Sequence, residues 1–159
     1  MKRLHLLRHG KASRKFFEID DFDRPLTEKG ILESHRNAED LFAKGLKPAN
    51  IISSSAARAL STAVIFRKEL QLDETAFRVT DQLYEISYRN LVDLICNLEN
   101  HLADVMLVGH NPSFSMLSEE ISAEYSHIPT GAVIGFKVDI GSWKEFDPVL
   151  AKPEYYIKS

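Results

Sequence analysis

Residues 4–13 read LHLLRHGKAS, and the centre of this stretch decides how the rest of the chain is interpreted. Residues 3–8 are predicted to form a strand, with leucines on both faces as in a strand that is covered on both sides. The strand ends in Arg8 and His9, and Gly10 follows at once. A functional site at the strand tip would explain this pattern. The structural alternative is a snorkelling arginine beside a satisfied loop histidine.

The composition is that of an ordinary soluble protein. The 159 residues suit one globular domain, residues 1–159, with a core of its own. A formal net charge of -3 gives no general attraction to nucleic acid or to an anionic membrane. The single cysteine, Cys96, excludes an intramolecular disulfide and a multi-cysteine metal site. Apolar runs are too short for a signal peptide or a membrane span, so we expect a cytoplasmic protein.

Strands and helices alternate along the chain. After the first strand, Thr27 is the predicted N-cap of a helix that runs to Gly45. The apolar stripe of this helix is predicted at Ile31, Leu32, Leu41 and Phe42. The further predicted elements are a strand at 50–53, a helix at 56–70, a weak strand at 77–80, a helix at about 88–99, a strand at 105–108 with a helix after it, and a strand at 133–138. An irregular tail with three bulky or rigid residues, Trp143, Pro148 and Pro153, ends the chain. This alternation predicts an α/β fold, a three-layer α/β/α sandwich around a mainly parallel sheet.

Charged and imidazole side chains fall at one edge of the predicted sheet. Arg8 and His9 end the first strand, Arg58 opens the helix after the second strand, and His110 ends the strand at 105–108. Ligands of such sheets bind outside the carboxyl ends of the strands, where helix N-termini also point. Each residue alone has a structural alternative, but together they indicate a site for a phosphate-like dianion, since arginine offers paired donors.

Other polar residues are interpreted as structural. His5 lies within a strand, His35 in a helix and His101 in a turn region. The acidic stretch IDDFD at 19–23 could indicate a magnesium site, but no other carboxylate motif accompanies it. We therefore interpret this stretch as a solvated acidic loop.

Five motifs carry a family resemblance: LLRHGKA, RPLTEKG, SSSAARALSTA, LYEIS and VGHNP. Their order and approximate spacing resemble those of the histidine phosphatase superfamily, the branch that includes the phosphoglycerate mutases. The resemblance runs from residue 4 to about 136 and implies a phosphoglycerate mutase-like fold. The short length and the DRPLT, LYE and PTGA segments are similar to SixA-type phosphohistidine phosphatases.

The resemblance also implies roles for the residues at the sheet edge. His9 corresponds to the nucleophile that becomes phosphorylated, Arg8 and Arg58 to the phosphate-binding arginines, and His110 to the second pocket histidine. The attacking imidazole must be neutral, and the two nearby guanidinium groups should disfavour its protonated form. The same cations would stabilise charge on the transferring phosphoryl group.

Three more residues are candidates for the site. Glu85 matches the place where many members of the family hold the acid that protonates the leaving group. Arg24 in DRPLT is expected near the mouth of the pocket. Gly10 is expected to let the chain turn sharply and to bring its backbone close to the phosphate.

We therefore expect a metal-independent phosphatase, without a cofactor, that works through a phosphohistidine intermediate on His9. A phosphohistidine on another protein is the expected substrate, because no long insertion before LYEIS builds a lid over the pocket. A phosphatase for small sugar or nucleotide phosphates is one alternative, and a noncatalytic phosphate-binding module is another. The expected partner is a phosphorylated protein or a small phosphorylated metabolite, not a nucleic acid or a membrane.

Overall fold

A six-stranded sheet forms the centre of the structure, a computed structural model that describes residues 1–15 and 18–159. The strands are Lys2–Arg8 (β1), Asn50–Ser54 (β2), Phe77–Thr80 (β3), Asp104–Gly109 (β4), Val133–Val138 (β5) and Ala151–Ile157 (β6). The helices are Glu28–Ala43 (α1), Ala57–Glu69 (α2), Tyr88–Cys96 (α3) and Ser113–Ile121 (α4).

The strand order brings three strand ends to one edge of the sheet. The order is β3-β2-β4-β1-β5-β6. β1 is parallel to β4, β4 to β2 and β2 to β3, whereas β5 is antiparallel to β1 and β6 to β5. Arg8 pairs with Gly109 and Ser53 with Val108, so the carboxyl ends of β1, β2 and β4 lie side by side. The predicted mainly parallel sheet is confirmed.

Side chains of β1 alternate between two cores, one on each face of the sheet. Leu4 and Leu6 pack into a cluster with residues of α3 and α4. Leu7 points to the opposite face and packs with residues of α1 and α2. All three leucines are fully buried, which explains why the strand carries apolar residues on both faces. The two helical layers and the sheet form the predicted three-layer sandwich.

The predicted apolar stripe of α1 is wrong for three of its four residues. Ile31, Leu32 and Phe42 are exposed, and Leu41 alone of the four is buried. The buried face is made by small and polar residues together with that leucine: Gly30, Ser34, Asn37, Ala38 and Leu41. At Gly30 and Ser34 the reason is the close approach of α1 to the backbone of Gly10 and Lys11, which leaves no room for large side chains there.

The sequence predicted an irregular tail, but part of the tail forms a strand. Residues 151–157 form β6, the edge strand next to β5. Pro153 is tolerated there because edge strands can leave one side of the backbone unpaired. The register also shifts between Gly135 and Phe136, opposite this proline.

Helix ends follow the predictions with small differences. Thr27 caps α1, because its Oγ1 accepts a hydrogen bond from the backbone N–H of Gly30 at 3.0 Å. α3 ends at Cys96 rather than at about residue 99. Within residues 1–15 and 18–159, no helix has both the length and the apolar character needed to cross a membrane.

Gly30 should be intolerant of even a methyl group. A Cβ atom at this position would lie 2.4 Å from the carbonyl oxygen of Lys11. Gly30→Ala would raise intrinsic helix propensity by about 1 kcal/mol, but we expect the clash to prevail and to lower the free energy of unfolding by about 1–3 kcal/mol.

Urea unfolding measures this effect, with Glu39→Ala on the exposed face of α1 as the control. The control should change the free energy of unfolding by no more than about 0.5 kcal/mol. A Gly30→Ala protein as stable as the wild type would contradict the tight contact between α1 and the segment after His9.

Candidate active site

The backbone at the end of β1 places two imidazoles next to each other. The N–H of His9 donates to the carbonyl of Gly109 at 3.1 Å, and His110 is the next residue after β4. Both side chains are buried, and their ring centroids are 5.2 Å apart. The structure therefore brings together the two histidines that the sequence predicted at this edge.

The partners of the His9 ring define its tautomer. Nδ1 lies 2.7 Å from the carbonyl oxygen of Gly10, which can only accept, so Nδ1 carries the hydrogen. Nε2 accepts a hydrogen bond from Nε of Arg58 at 3.3 Å. Both contacts fit a neutral ring whose lone pair is on Nε2, the nitrogen that is available for attack.

Burial and positive neighbours keep both imidazoles neutral. Burial lowers the pKa of His9 to about 3, aided by His110, Arg58 and Arg8 and opposed by the bond to the Gly10 carbonyl. Burial also lowers the pKa of His110 to about 4, with Arg58 as the next cause. At neutral pH neither ring is protonated, which is the state that the predicted role of His9 as a nucleophile requires.

A cationic cavity of about 260 Å³ opens beside the two rings. Its lining residues are Arg8, His9, Ala12, Arg14, Arg24, Arg58, His110, Asn111 and Thr130. Arg24 thus lies where the sequence predicted it. Arg14 and Thr130 were missed, although Arg14 follows His9 in the same basic segment. Four guanidinium groups around one small cavity suit a dianion such as a phosphoryl group.

Gly10 contributes differently from the prediction. Its N–H donates to Oγ1 of Thr62 at 2.9 Å and its carbonyl accepts from His9, so both backbone groups are used within the protein. A Cβ at Gly10 would lie 2.9 Å from Oγ of Ser34 and 3.0 Å from the carbonyl oxygen of Gly30. Glycine is needed here for close packing against α1, and the geometry does not support a backbone contact from Gly10 to phosphate.

The structure does not bring Glu85 into the cationic cavity. Its side chain is exposed, its backbone has a positive φ of 52°, and it lines a separate cavity of about 730 Å³. Tyr84 lies between the two cavities: it lines the larger one, and its ring is 5.5 Å from that of His110. The role of Glu85 as a proton donor stays a prediction.

Two of the histidines interpreted as structural have structural partners. His5 is buried in β1, where its ring contacts Tyr155 and Asp104. His35 links α1 to α2 through a contact with Glu69. Neither residue lines the cationic cavity.

Asp21 is a further site residue that sequence reasoning missed, because the stretch 19–23 was interpreted as a solvated loop. The carboxylate of Asp21 accepts hydrogen bonds from Arg58 at 3.0 Å, Tyr84 at 2.8 Å and Arg24 at 3.0 Å. Partial burial would raise its pKa, but the bonds from Tyr84 and Arg58 and the two positive charges lower it. In the described part of the chain, no group of three or more His, Cys, Asp or Glu side chains could hold a metal ion.

The depressed pKa values of the two histidines make stability dependent on pH. In the unfolded chain both rings bind protons as the pH falls through 6.5, but in the folded protein they do so only at about 4 and about 3. The unfolded state therefore binds more protons in this window, and the free energy of unfolding decreases as the pH falls. Each histidine should contribute a slope approaching about 1.4 kcal/mol per pH unit.

Urea unfolding between about pH 7 and about pH 5 measures this slope. His110→Asn should reduce the slope of the free energy of unfolding against pH by up to the contribution of one histidine. His101→Asn on the exposed surface serves as the control. Equal slopes for wild type and His110→Asn, or stability that rises on acidification, would contradict the buried neutral state.

Comparisons with known proteins agree with this geometry. The histidine phosphatase superfamily (branch 1) family model matches residues 4–120. A protein of Agrobacterium tumefaciens provisionally assigned as the phosphohistidine phosphatase SixA is 26% identical, with a TM-score of 0.84 over 99% of this chain and 98% of that one. The protein histidine phosphatase SixA complexed with tungstate is 22% identical, with a TM-score of 0.80 over 98% and 96%.

A more distant structure has the same fold. A mycobacterial glucosyl-3-phosphoglycerate phosphatase complexed with VO3 is 19% identical, with a TM-score of 0.68 over 100% of both chains. The fold, the paired histidines and the match of the family model over most of the sequence lead to one conclusion. The chain belongs to the histidine phosphatase superfamily (branch 1), as its motifs predicted, and is an enzyme of the phosphatase class.

Proposed function

We propose that this phosphatase transfers the phosphoryl group of its substrate to Nε2 of His9 and then to water, and that the substrate is a phosphohistidine on another protein. The observation that carries the proposal is the His9 ring itself. Its Nδ1–H is held by the Gly10 carbonyl, so the Nε2 lone pair faces Arg58 in a cationic cavity.

In the first step the lone pair of Nε2 exchanges its hydrogen bond from the Nε–H of Arg58 for a bond to phosphorus, as the bond from phosphorus to the leaving group breaks. The leaving group takes the bonding electrons, and Arg8 and Arg58 stabilise charge on the phosphoryl oxygens. In the second step water attacks phosphorus and Nε2 departs, which regenerates neutral His9 and releases phosphate. Two displacements of this kind are typical of nucleophilic catalysis.

The chemistry of the leaving group supports phosphohistidine as the substrate. The carboxyl group that contacts Arg58 is Asp21, whose lowered pKa keeps it ionised and unable to donate a proton at neutral pH. A sugar alkoxide would need such a proton to leave. The imidazole of a phosphohistidine, once its other nitrogen is protonated, leaves as a neutral ring without help from the enzyme.

The shape of the surface also supports a protein substrate. The cavity of about 730 Å³ begins at Tyr84, beside His110, and gives a polypeptide room next to the phosphoryl site. The likeness in fold to SixA proteins points the same way. The likeness in fold to a glucosyl-3-phosphoglycerate phosphatase makes small sugar phosphates the alternative class of substrate. An experiment must distinguish them from phosphohistidine proteins.

Phosphate release from a panel of substrates tests the proposal. We expect kcat/KM for a phosphohistidine-bearing protein to exceed that for sugar and nucleotide monophosphates by about 10²-fold or more. This is the factor that a proton donor usually contributes to the departure of a poor leaving group. His9→Ala should abolish release from every substrate, whereas His35→Ala, outside the cavity, serves as the matched control.

The variant Glu85→Gln tests whether Glu85 donates a proton to the leaving group. If Glu85 acts as an acid, the substitution slows sugar phosphates by about 10²-fold and leaves phosphohistidine almost unchanged. Higher kcat/KM for sugar phosphates than for phosphohistidine proteins would contradict the proposed substrate. Substantial turnover by His9→Ala would contradict the proposed mechanism.

A further inference from the structure

We infer that Asp21 is a positioning residue, which holds the guanidinium of Arg58 by its two terminal nitrogens so that Nε faces Nε2 of His9. The inference rests on the proposed function in one respect, namely that the phosphoryl group is transferred at His9 beside Arg58. It assigns a catalytic consequence to an acidic loop that precedes the RPLTEKG motif and lies 37 positions from Arg58 in the sequence.

Two hydrogen bonds to Asp21 set the orientation of the Arg58 guanidinium. Nη1 donates to the backbone carbonyl of Asp21 at 2.7 Å, and Nη2 donates to Oδ2 of the same residue at 3.0 Å. Because a guanidinium is planar and rigid, fixing both terminal nitrogens also fixes the direction of Nε. Nε is the atom that reaches Nε2 of His9 at 3.3 Å.

Asp21 is itself held in place by a residue of its own loop and by a residue of the segment before α3. Oδ1 accepts from Nε of Arg24 at 3.0 Å, and Oδ2 accepts from the hydroxyl of Tyr84 at 2.8 Å. The Tyr84 ring meets Phe22 edge-on at 5.1 Å and His110 edge-on at 5.5 Å. The carboxylate therefore joins its own loop, α2 and the segment before α3, beside two residues that line the cavity, Arg24 and Arg58.

A carboxylate could have two other roles here, and each role predicts a different effect when the carboxylate is removed. A carboxylate that only neutralised Arg58 would weaken anion binding, so its removal would increase both phosphate affinity and kcat/KM. A carboxylic acid that protonated the leaving group would matter most for poor leaving groups. A positioning residue affects the transition state for every substrate, and its loss does not weaken binding of phosphate in the ground state.

The test compares Asp21→Asn with Asp23→Asn, which removes the same charge from an exposed side chain of the same loop. Generic aryl phosphates with good and poor leaving groups are the substrates, and inorganic phosphate is the competitive inhibitor. We expect Asp21→Asn to lower kcat by about 10- to 100-fold for all of them, as for a catalytic group that is displaced by a fraction of an ångström. The Ki of phosphate should stay the same or decrease.

Two further measurements separate positioning from a general loss of structure. Asp21→Glu keeps the carboxylate and should recover part of the lost kcat. NMR relaxation of the Arg58 Nε–H group, a readout independent of activity, should show an ordered side chain in the wild type and in Asp23→Asn, and a mobile one in Asp21→Asn.

Any of three results would overturn the inference. The first is a kcat for Asp21→Asn close to that of Asp23→Asn. The second is a Ki for phosphate that rises by the same factor by which kcat falls, and the third is a decrease in kcat confined to substrates with poor leaving groups. Failure of the proposed function has a different signature, because activity would then survive His9→Ala or phosphohistidine would not be preferred, whatever the result for Asp21.

Discussion

The hydrogen bond from the backbone N–H of His9 to the carbonyl of Gly109 is the constraint on which the site depends. It extends the parallel pairing of β1 with β4 by one residue beyond the last strand pair, Arg8 with Gly109. Parallel pairing brings the carboxyl ends of both strands to the same edge, so the residues that follow them, His9 and His110, meet with their rings 5.2 Å apart. If β1 and β4 were antiparallel, their carboxyl ends, and with them the two histidines, would lie at opposite edges of the sheet.

Small residues connect this edge to the helices and determine which nitrogen of His9 is free. Thr62 accepts a hydrogen bond from the Gly10 N–H and donates one to the carbonyl of Arg58, so the loop after β1 is bound to the first turns of α2. Gly10 in turn lies against Ser34 and Gly30 of α1, and Gly30 lies against the backbone of Lys11, so neither glycine has room for a side chain. These contacts fix the Gly10 carbonyl where it accepts from Nδ1, so the lone pair of the neutral ring is on Nε2, the proposed nucleophile. The RHG and TEKG motifs are therefore two sides of one contact.

Local patterns in the sequence predicted the strands, the sandwich and the meeting of Arg8, His9, Arg58 and His110, because each strand end carries its own residues to the shared edge. The buried face of α1 was mispredicted since it packs against backbone, where hydrophobic periodicity gives no guidance. β6 was missed because Pro153 is acceptable only on an edge, which the sequence does not reveal. Asp21 was missed because its contact with Arg58 spans 37 positions and depends on where a loop folds back.

The proposed reaction requires that Nε2 of His9, and no other atom, receives the phosphoryl group. The most direct measurement is NMR of the phosphoenzyme, trapped during turnover of the protein with ¹⁵N-labelled histidine, in which the coupling between phosphorus and nitrogen identifies the bonded atom. We expect one phosphorus–nitrogen bond, at Nε2 of His9, with Nδ1 still protonated and hydrogen-bonded to Gly10. A phosphoryl group on Nδ1 of His9 or on His110, or turnover with no phosphorus–nitrogen bond to the protein, would contradict it.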